Sequence, residues 1–175
     1  MNAISLWEPW ATLVSIWAKR YETRSWPTLH RGVIAIHSAQ RFDGEQKAIC
    51  SREPFKTALA REGIDHWRKL VPTLGHVLAI AVLKRCQEVR CERPPAQLSW
   101  TGSNEITSLE EYSEEDLAFG DWSEGRFIWT LEDVVRLVTP VPARGAQGFW
   151  TWKPPPMLQV EQPNHDIREW ALKSG

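Results

Sequence analysis

The chain has 175 residues, 42% of them apolar and 25% charged, with a formal net charge of −1. That length suits one domain with a real core, and the composition is ordinary for a globular protein. The near-neutral total argues against tight, sequence-independent binding to nucleic acid, which needs several phosphates neutralised by Lys and Arg, and no apolar run reaches the roughly 18 residues of a membrane-spanning helix.

The opening MNAISLWEPW has no basic region followed by an apolar run, so no secretory leader is expected. Cys50, Cys86 and Cys91 are odd in number, and the Cys86/Cys91 spacing has no second pair to complete a zinc site. They read as reduced thiols in a cytoplasmic protein, and no cofactor or metal is expected. Charge is unevenly spread. Lys19, Arg20, Arg24, Arg31, Arg41, Lys47 and Arg52 make the first part basic, while Glu105 to Glu124 is acidic, so a local positive cleft fits a neutral total. The eleven Trp belong mostly to a core, with some available to line a cleft.

In chain order, a short apolar strand turns at Glu8-Pro9 into a helix, where Pro9 loses nothing by lacking an N–H. Trp10, Leu13, Val14 and Trp17 fall at i, i+3, i+4 and i+7, one stripe for a core. The helix ends at Lys19, and an alternating strand puts Glu22, Arg24 and Trp26 on one side. Pro27 stops it. Gly32 to His37 reads as a buried strand, and His37 at its end is either a satisfied core histidine or a cleft residue. Asp43 caps a predicted helix over 44–51. A second helix starts at Glu53-Pro54 and stops at Gly63. Asp65 caps a third through Trp67 and Leu70, closed by Pro72. Gly75 to Leu83 is a buried strand by its β-branched content.

From Arg90 to Asn104 the pattern is that of a loop. Ser108 with Glu111 suits a capping box, and Ser113 starts a further turn of helix ending at Gly120. Residues 90–120 are expected to form an insert over one mouth of the fold. Arg126 to Glu132 is a strong strand; a polar spacer leads to another over 134–138, and Phe149 to Trp152 is the last. Pro154 to Pro156 ends the domain, and Asn164 caps a terminal helix through Ile167, Trp170 and Leu172. Strands separated by Gly and Pro turns, with several short helices, indicate an α+β chain built on a small closed or partly open β-barrel.

The functional interest centres on Lys19, Glu22 and Arg24. A carboxylate between two cations stays ionised and fixes both long side chains, and Trp10 and Trp26 are placed to wall the cluster. The same spacing also describes a solvated salt bridge of small energetic value.

The stretch SLWEPWATLVSIWAKRYETRSWPTLHRGVIAIHSA resembles the opening of the ASCH domain, part of the PUA-like superfamily. That family has a Gln-Pro-Trp or Gln-Pro-Tyr helix start, here Glu8-Pro9-Trp10. It has a Gly-x-Lys-x-x-Glu-x-Arg signature, here Trp17 to Arg24. An Arg-Gly and a His-x-Ser/Ala often follow, here Arg31-Gly32 and His37-Ser38-Ala39. Gly120–Val134 and Pro140–Trp152 are similar as well, so the resemblance covers most of residues 3–153 with a gap in the middle; it implies a domain over 1–153, with 154–175 as linker and terminal helix. It implies a PUA-like barrel of mixed and antiparallel strands, and a link to RNA. This chain departs from the pattern at Glu8 (usually Gln) and Trp17 (usually Gly). Some small members deacylate a modified cytidine with a Thr three residues after the Lys; Glu22 stands there, which removes that nucleophile.

Three readings follow. The first is a module binding RNA, single-stranded nucleic acid or a modified nucleobase. Aromatics stack bases while cations hold phosphates and base edges, with Trp10, Lys19, Glu22, Arg24, Trp26, His37, Ser38 and Trp122 as candidate ligand-binding residues. The second is a hydrolase acting on RNA or an acylated nucleoside, with Lys19 and Glu22 as candidate catalytic groups; His37 beside Ser38 is a weak nucleophile–base pair. The third is a protein-interaction domain without a ligand.

Overall fold

The computed structural model describes residues 1–90 and 111–161. Its elements are strands β1 (Asn2–Leu6), β2 (Tyr21–Arg24), β3 (Gly32–Ser38), β4 (His76–Glu88), β5 (Phe127–Pro142) and β6 (Phe149–Thr151), helices α1 (Trp10–Ser15), α2 (Gly44–Ile49), α3 (Phe55–Ala60) and α4 (Glu114–Ala118), and a 3-10 helix over Trp67–Thr73. The strands form one mixed sheet in the order β2-β5-β4-β3-β1-β6. Among the described residues only β1 and β3 pair in parallel; the other pairs are antiparallel.

The sheet curls into a half-barrel, and the cause is local. The pairing of β4 with β5 shifts register between Val77 and Ala79, between Ile80 and Val82, and between Leu83 and Arg85. Each extra residue bends its strand and tightens the twist. The polar spacer expected to separate two strands is one of these bulges: Asp133 has φ +47, and β5 runs through it as one strand of 16 residues. The edges β2 and β6 do not pair. Trp26, just after β2, packs edge-on against Trp129 and Phe149 of β5 and β6, at ring distances of 4.7 and 5.6 Å, so aromatic side chains span the open side.

Inside the curl lies a core of Ile4, Ile34, Ile36, Leu83, Trp129 and Leu131. A second cluster joins Leu13 of α1 to Phe55, Ala58, Leu59, Leu70 and Phe119, seating the helices on the outer face of α1.

The helix signals hold with adjustments. Asp43 caps α2 in a reciprocal capping box with Gln46, and Ser113 does the same for α4 with Asp116. Gly63 turns left-handed after α3, with φ +71. The third predicted helix is a 3-10 turn capped by His66 rather than Asp65, and Pro72 lies inside it rather than after it.

The first helix differs most. It is only six residues long, and Trp17 is not in its apolar stripe. Trp17 takes φ +64 and is exposed. The amides of Trp17 and Ala18 donate to the carbonyls of Val14 and Leu13, at 3.0 and 2.9 Å, the pattern of a Schellman cap. The left-handed residue that closes the helix is therefore a tryptophan, at a place where glycine would pay no steric penalty. The Ser108–Glu111 capping box, most of the 90–104 loop, Cys91 and the terminal helix lie outside the described residues. Among the described residues, no helix is long and apolar enough to cross a membrane.

Candidate functional site: a cleft floored by Lys19, Glu22 and Arg24

The ends of β1, β2 and β3, the start of α1, the end of α4 and the loop 143–148 enclose a cleft of about 1150 Å³. Trp10, Lys19, Glu22, Arg24, Trp26 and His37 all line it.

The trio is assembled by the Schellman turn. That turn delivers Lys19 inward just before β2, and β2 alternation then points Glu22 and Arg24 the same way. Lys19 is 1% exposed. Its ammonium donates to the carbonyls of Tyr21 and Phe119, the latter at 2.7 Å, and lies 3.4 Å from Glu22 Oε2. Phe119 ends α4, so one cation ties the exit of α1, the edge strand and the last carbonyl of a short helix. Burial pushes the Lys19 pKa down, opposed by Glu22. Glu22 is braced from its other side by Arg24, whose Nε lies 3.0 Å from Oε1 at an angle too poor for a hydrogen bond. Arg24 also donates to the Ser5 carbonyl at 3.1 Å. With a side chain 22% exposed, Arg24 is the trio's most open member.

His37 lies directly across from Ser5 in the parallel β1–β3 register. Its Nε2 is 3.1 Å from the Ala143 carbonyl, which can only accept, so Nε2 carries the proton. In the neutral ring Nδ1 then accepts from the Ser5 hydroxyl at 3.0 Å, and Ser5 in turn accepts from Trp150 Nε1 at 3.2 Å. Burial holds the His37 pKa below its ordinary value, which favours this neutral form. The chain of donors Trp150 → Ser5 → His37 → Ala143 leaves each of these atoms a partner. The partner of His37 is Ser5 and not Ser38, and no local spacing could reveal that, since strand register decides it.

Two expected site residues lie elsewhere. Ser38 is fully buried and does not line the cleft, because successive strand residues face opposite sides. Trp122 packs against Tyr21 and Tyr112 outside the cleft, at ring distances of 6.2 and 4.5 Å. Glu8 does not add a negative charge beside the cleft either. It is fully buried, its Oε2 accepts from the Thr12 amide at 3.2 Å, and desolvation pushes its pKa up. The Ser38 hydroxyl is the main group opposing that rise, although neither Ser38 Oγ nor Glu8 Oε1 completes a hydrogen bond.

Sequence reasoning missed Trp7, Ser5 and the loop 143–148. Trp7 is 51% exposed, lines the cleft, and has the Arg41 guanidinium 5.4 Å from its ring centre. Its signal was present: Ser5 and Trp7 are two apart, so an extended chain shows them on one face. Five cations, Lys19, Arg24, Arg41, Arg126 and Arg144, face the cleft against two carboxylates, Glu22 and Asp121. The neutral chain therefore concentrates positive charge here, where anions or electron-rich rings are favoured. No family model and no curated protein matches the chain.

Proposed function

We propose that the protein is a nucleobase-binding module of the ASCH type, with a PUA-like barrel, that takes single-stranded RNA or a modified nucleoside into this cleft. The observation that carries the reading is a concave, cation-rich site whose floor offers an acceptor, Glu22, and a donor, Arg24, beside an exposed indole. Base recognition needs both elements: ring faces to stack on, and fixed polar groups to read an unpaired edge.

Two departures from the family pattern become consistent with it. Trp17 adopts the left-handed conformation for which the family uses Gly. Glu8, with its pKa raised by burial, resembles in its protonated form the neutral amide it replaces.

Binding is favoured over catalysis because Lys19 is tied to two carbonyls and a carboxylate, and both Glu22 oxygens are braced by cations. On this reading Lys19 and Glu22 set the shape of the floor and exchange no proton. The second reading, a hydrolase, draws on the Ser5–His37 pair, in which a hydroxyl sits on a base oriented by a third group. Against it, a Cβ on Gly145 would lie 2.5 Å from Ser5 Oγ, so the loop already covers the hydroxyl.

Calorimetric titration with a single-stranded RNA hexamer and with a panel of acylated cytidines separates the two, if product is assayed in the same samples. Binding that weakens in Arg24→Gln, with no turnover by the wild type, is the expected result. Turnover lost in Ser5→Ala would replace the binding reading with the hydrolase, and absence of binding at low salt would remove both.

A further inference from the structure

The arginines of the cleft are not equivalent. Arg24 is paired with Glu22 at 3.0 Å, Arg41 with Asp43 at 2.9 Å and Arg126 with Asp121 at 3.3 Å. Arg144 lines the same cleft, is exposed, and has no hydrogen-bond or ion-pair partner among the described residues. Its flanks are nevertheless held. The Ala143 amide donates to the Gly75 carbonyl at 2.9 Å, and the Ala143 carbonyl accepts from His37 at 3.1 Å. On the other side, Gly145 is pressed against the Ser5–His37 pair, where an added Cβ would fall 2.4–2.6 Å from His37 Cε1, Ser5 Oγ and His37 Nδ1. A guanidinium with no partner among the described residues is thus carried between one residue held by backbone bonds and one packed tightly against the cleft wall, so binding through it costs little ordering of that backbone.

We infer that the loop 143–148 is the anion arm of the cleft, in which Arg144 holds a phosphate of a nucleotide whose base lies on Trp7. The inference rests on the nucleobase reading and narrows it, from nucleosides in general to ligands carrying a phosphate. Ser5 and Trp7 share a face of the extended chain, and the loop rests on Ser5, so arm and indole belong to the same end of the sheet. A guanidinium suits the task because its fork of donors matches phosphate oxygens two at a time. The Ser5–His37 pair is then a positioning device, which sets where the loop lies.

The test is calorimetric titration of the full chain with adenosine, cytidine, their 5′-monophosphates and inorganic phosphate, in low and moderate salt. The wild type should bind the monophosphates about tenfold more tightly than the nucleosides, a difference of about 1.4 kcal/mol, and that advantage should shrink with salt. Arg144→Ala should bring the monophosphates down to the affinity of the nucleosides, and Arg144→Lys should restore part of the gap. Equal affinities in the wild type, or a gap that persists in Arg144→Ala, would overturn the arm while leaving the base site standing. Binding of inorganic phosphate and of monophosphates, lost in Arg144→Ala, with no binding of nucleosides, would uphold the arm and sink the nucleobase reading. No binding of any probe would overturn both.

Discussion

Two buried polar clusters lie within the first 38 residues, and they are built on opposite terms. Around Lys19, the ammonium has two carbonyls and a carboxylate, and each Glu22 oxygen faces a cation. Around Glu8, one carboxylate oxygen and the neighbouring Ser38 hydroxyl are buried with no completed hydrogen bond. A low-dielectric interior rewards the first arrangement and penalises the second. Burial of an ionisable group therefore does not by itself mark a site in this molecule. The trio is distinguished by its open side, where Arg24 meets the cleft; the Glu8 pair has none and serves the first turn of α1.

The contrast can be broken most severely at Lys19. Lys19→Met keeps the apolar stem but leaves the Tyr21 and Phe119 carbonyls and the Glu22 Oε2 oxygen without their cation. A loss of roughly 3–5 kcal/mol is expected in urea unfolding, as for one half of a buried ion pair. A loss under 1 kcal/mol would mean that the cluster is wetter than its burial indicates.

Gly145→Ala comes next. The new methyl would enter the space held by His37 and Ser5, at a cost of about 1–3 kcal/mol for overpacking, and it should also displace the loop from the cleft. An unchanged melting temperature together with unchanged nucleotide affinity would show that the loop is not fixed there.

Glu8→Gln sharpens the comparison from the other side. The folded pKa of Glu8 lies above its ordinary value of 4.5, so the folded state binds the extra proton. Its contribution is then complete below the unfolded value and is lost as the pH rises toward the folded one. The amide removes that loss. Glu8→Gln should match the wild type in acid and exceed it at neutral pH, where the wild type must hold a buried carboxylate. Parallel stability–pH curves for the two proteins would contradict a raised Glu8.

Trp7→Ala should affect stability least, within about 0.5 kcal/mol, as for other exposed positions. It should nonetheless cost roughly 1–3 kcal/mol of base affinity if the indole stacks the ligand. Equal base affinity for the variant and the wild type would move the stacking surface elsewhere in the cleft.

Much of this architecture was legible because its causes are local. The Asp43 and Ser113 caps, the Gly63 stop and the inward turn of Lys19, Glu22 and Arg24 all follow from spacing within a few residues. What was not legible depends on partners far away in the chain. The parallel register that sets Ser5 opposite His37 cannot be read from either strand alone, and neither can the pressure of Gly145 on that pair. Trp17 was misplaced because helical periodicity assumes a helix that continues; the Schellman turn ends it after Ser15 and swings the indole into solvent. Ser38 was misplaced by one residue of strand alternation, which is enough to move a side chain from the cleft to the interior.

Whether the cleft holds a base against Trp7 and Arg24 is decided by the indole N–H signals in a nitrogen–proton correlation spectrum as a nucleoside monophosphate is added. The Trp7 signal should move in a saturable manner, while those of Trp129 and Trp152, buried in the core, stay in place. Saturable binding that leaves the Trp7 signal unmoved, or movement confined to Trp122 outside the cleft, would contradict a base held there.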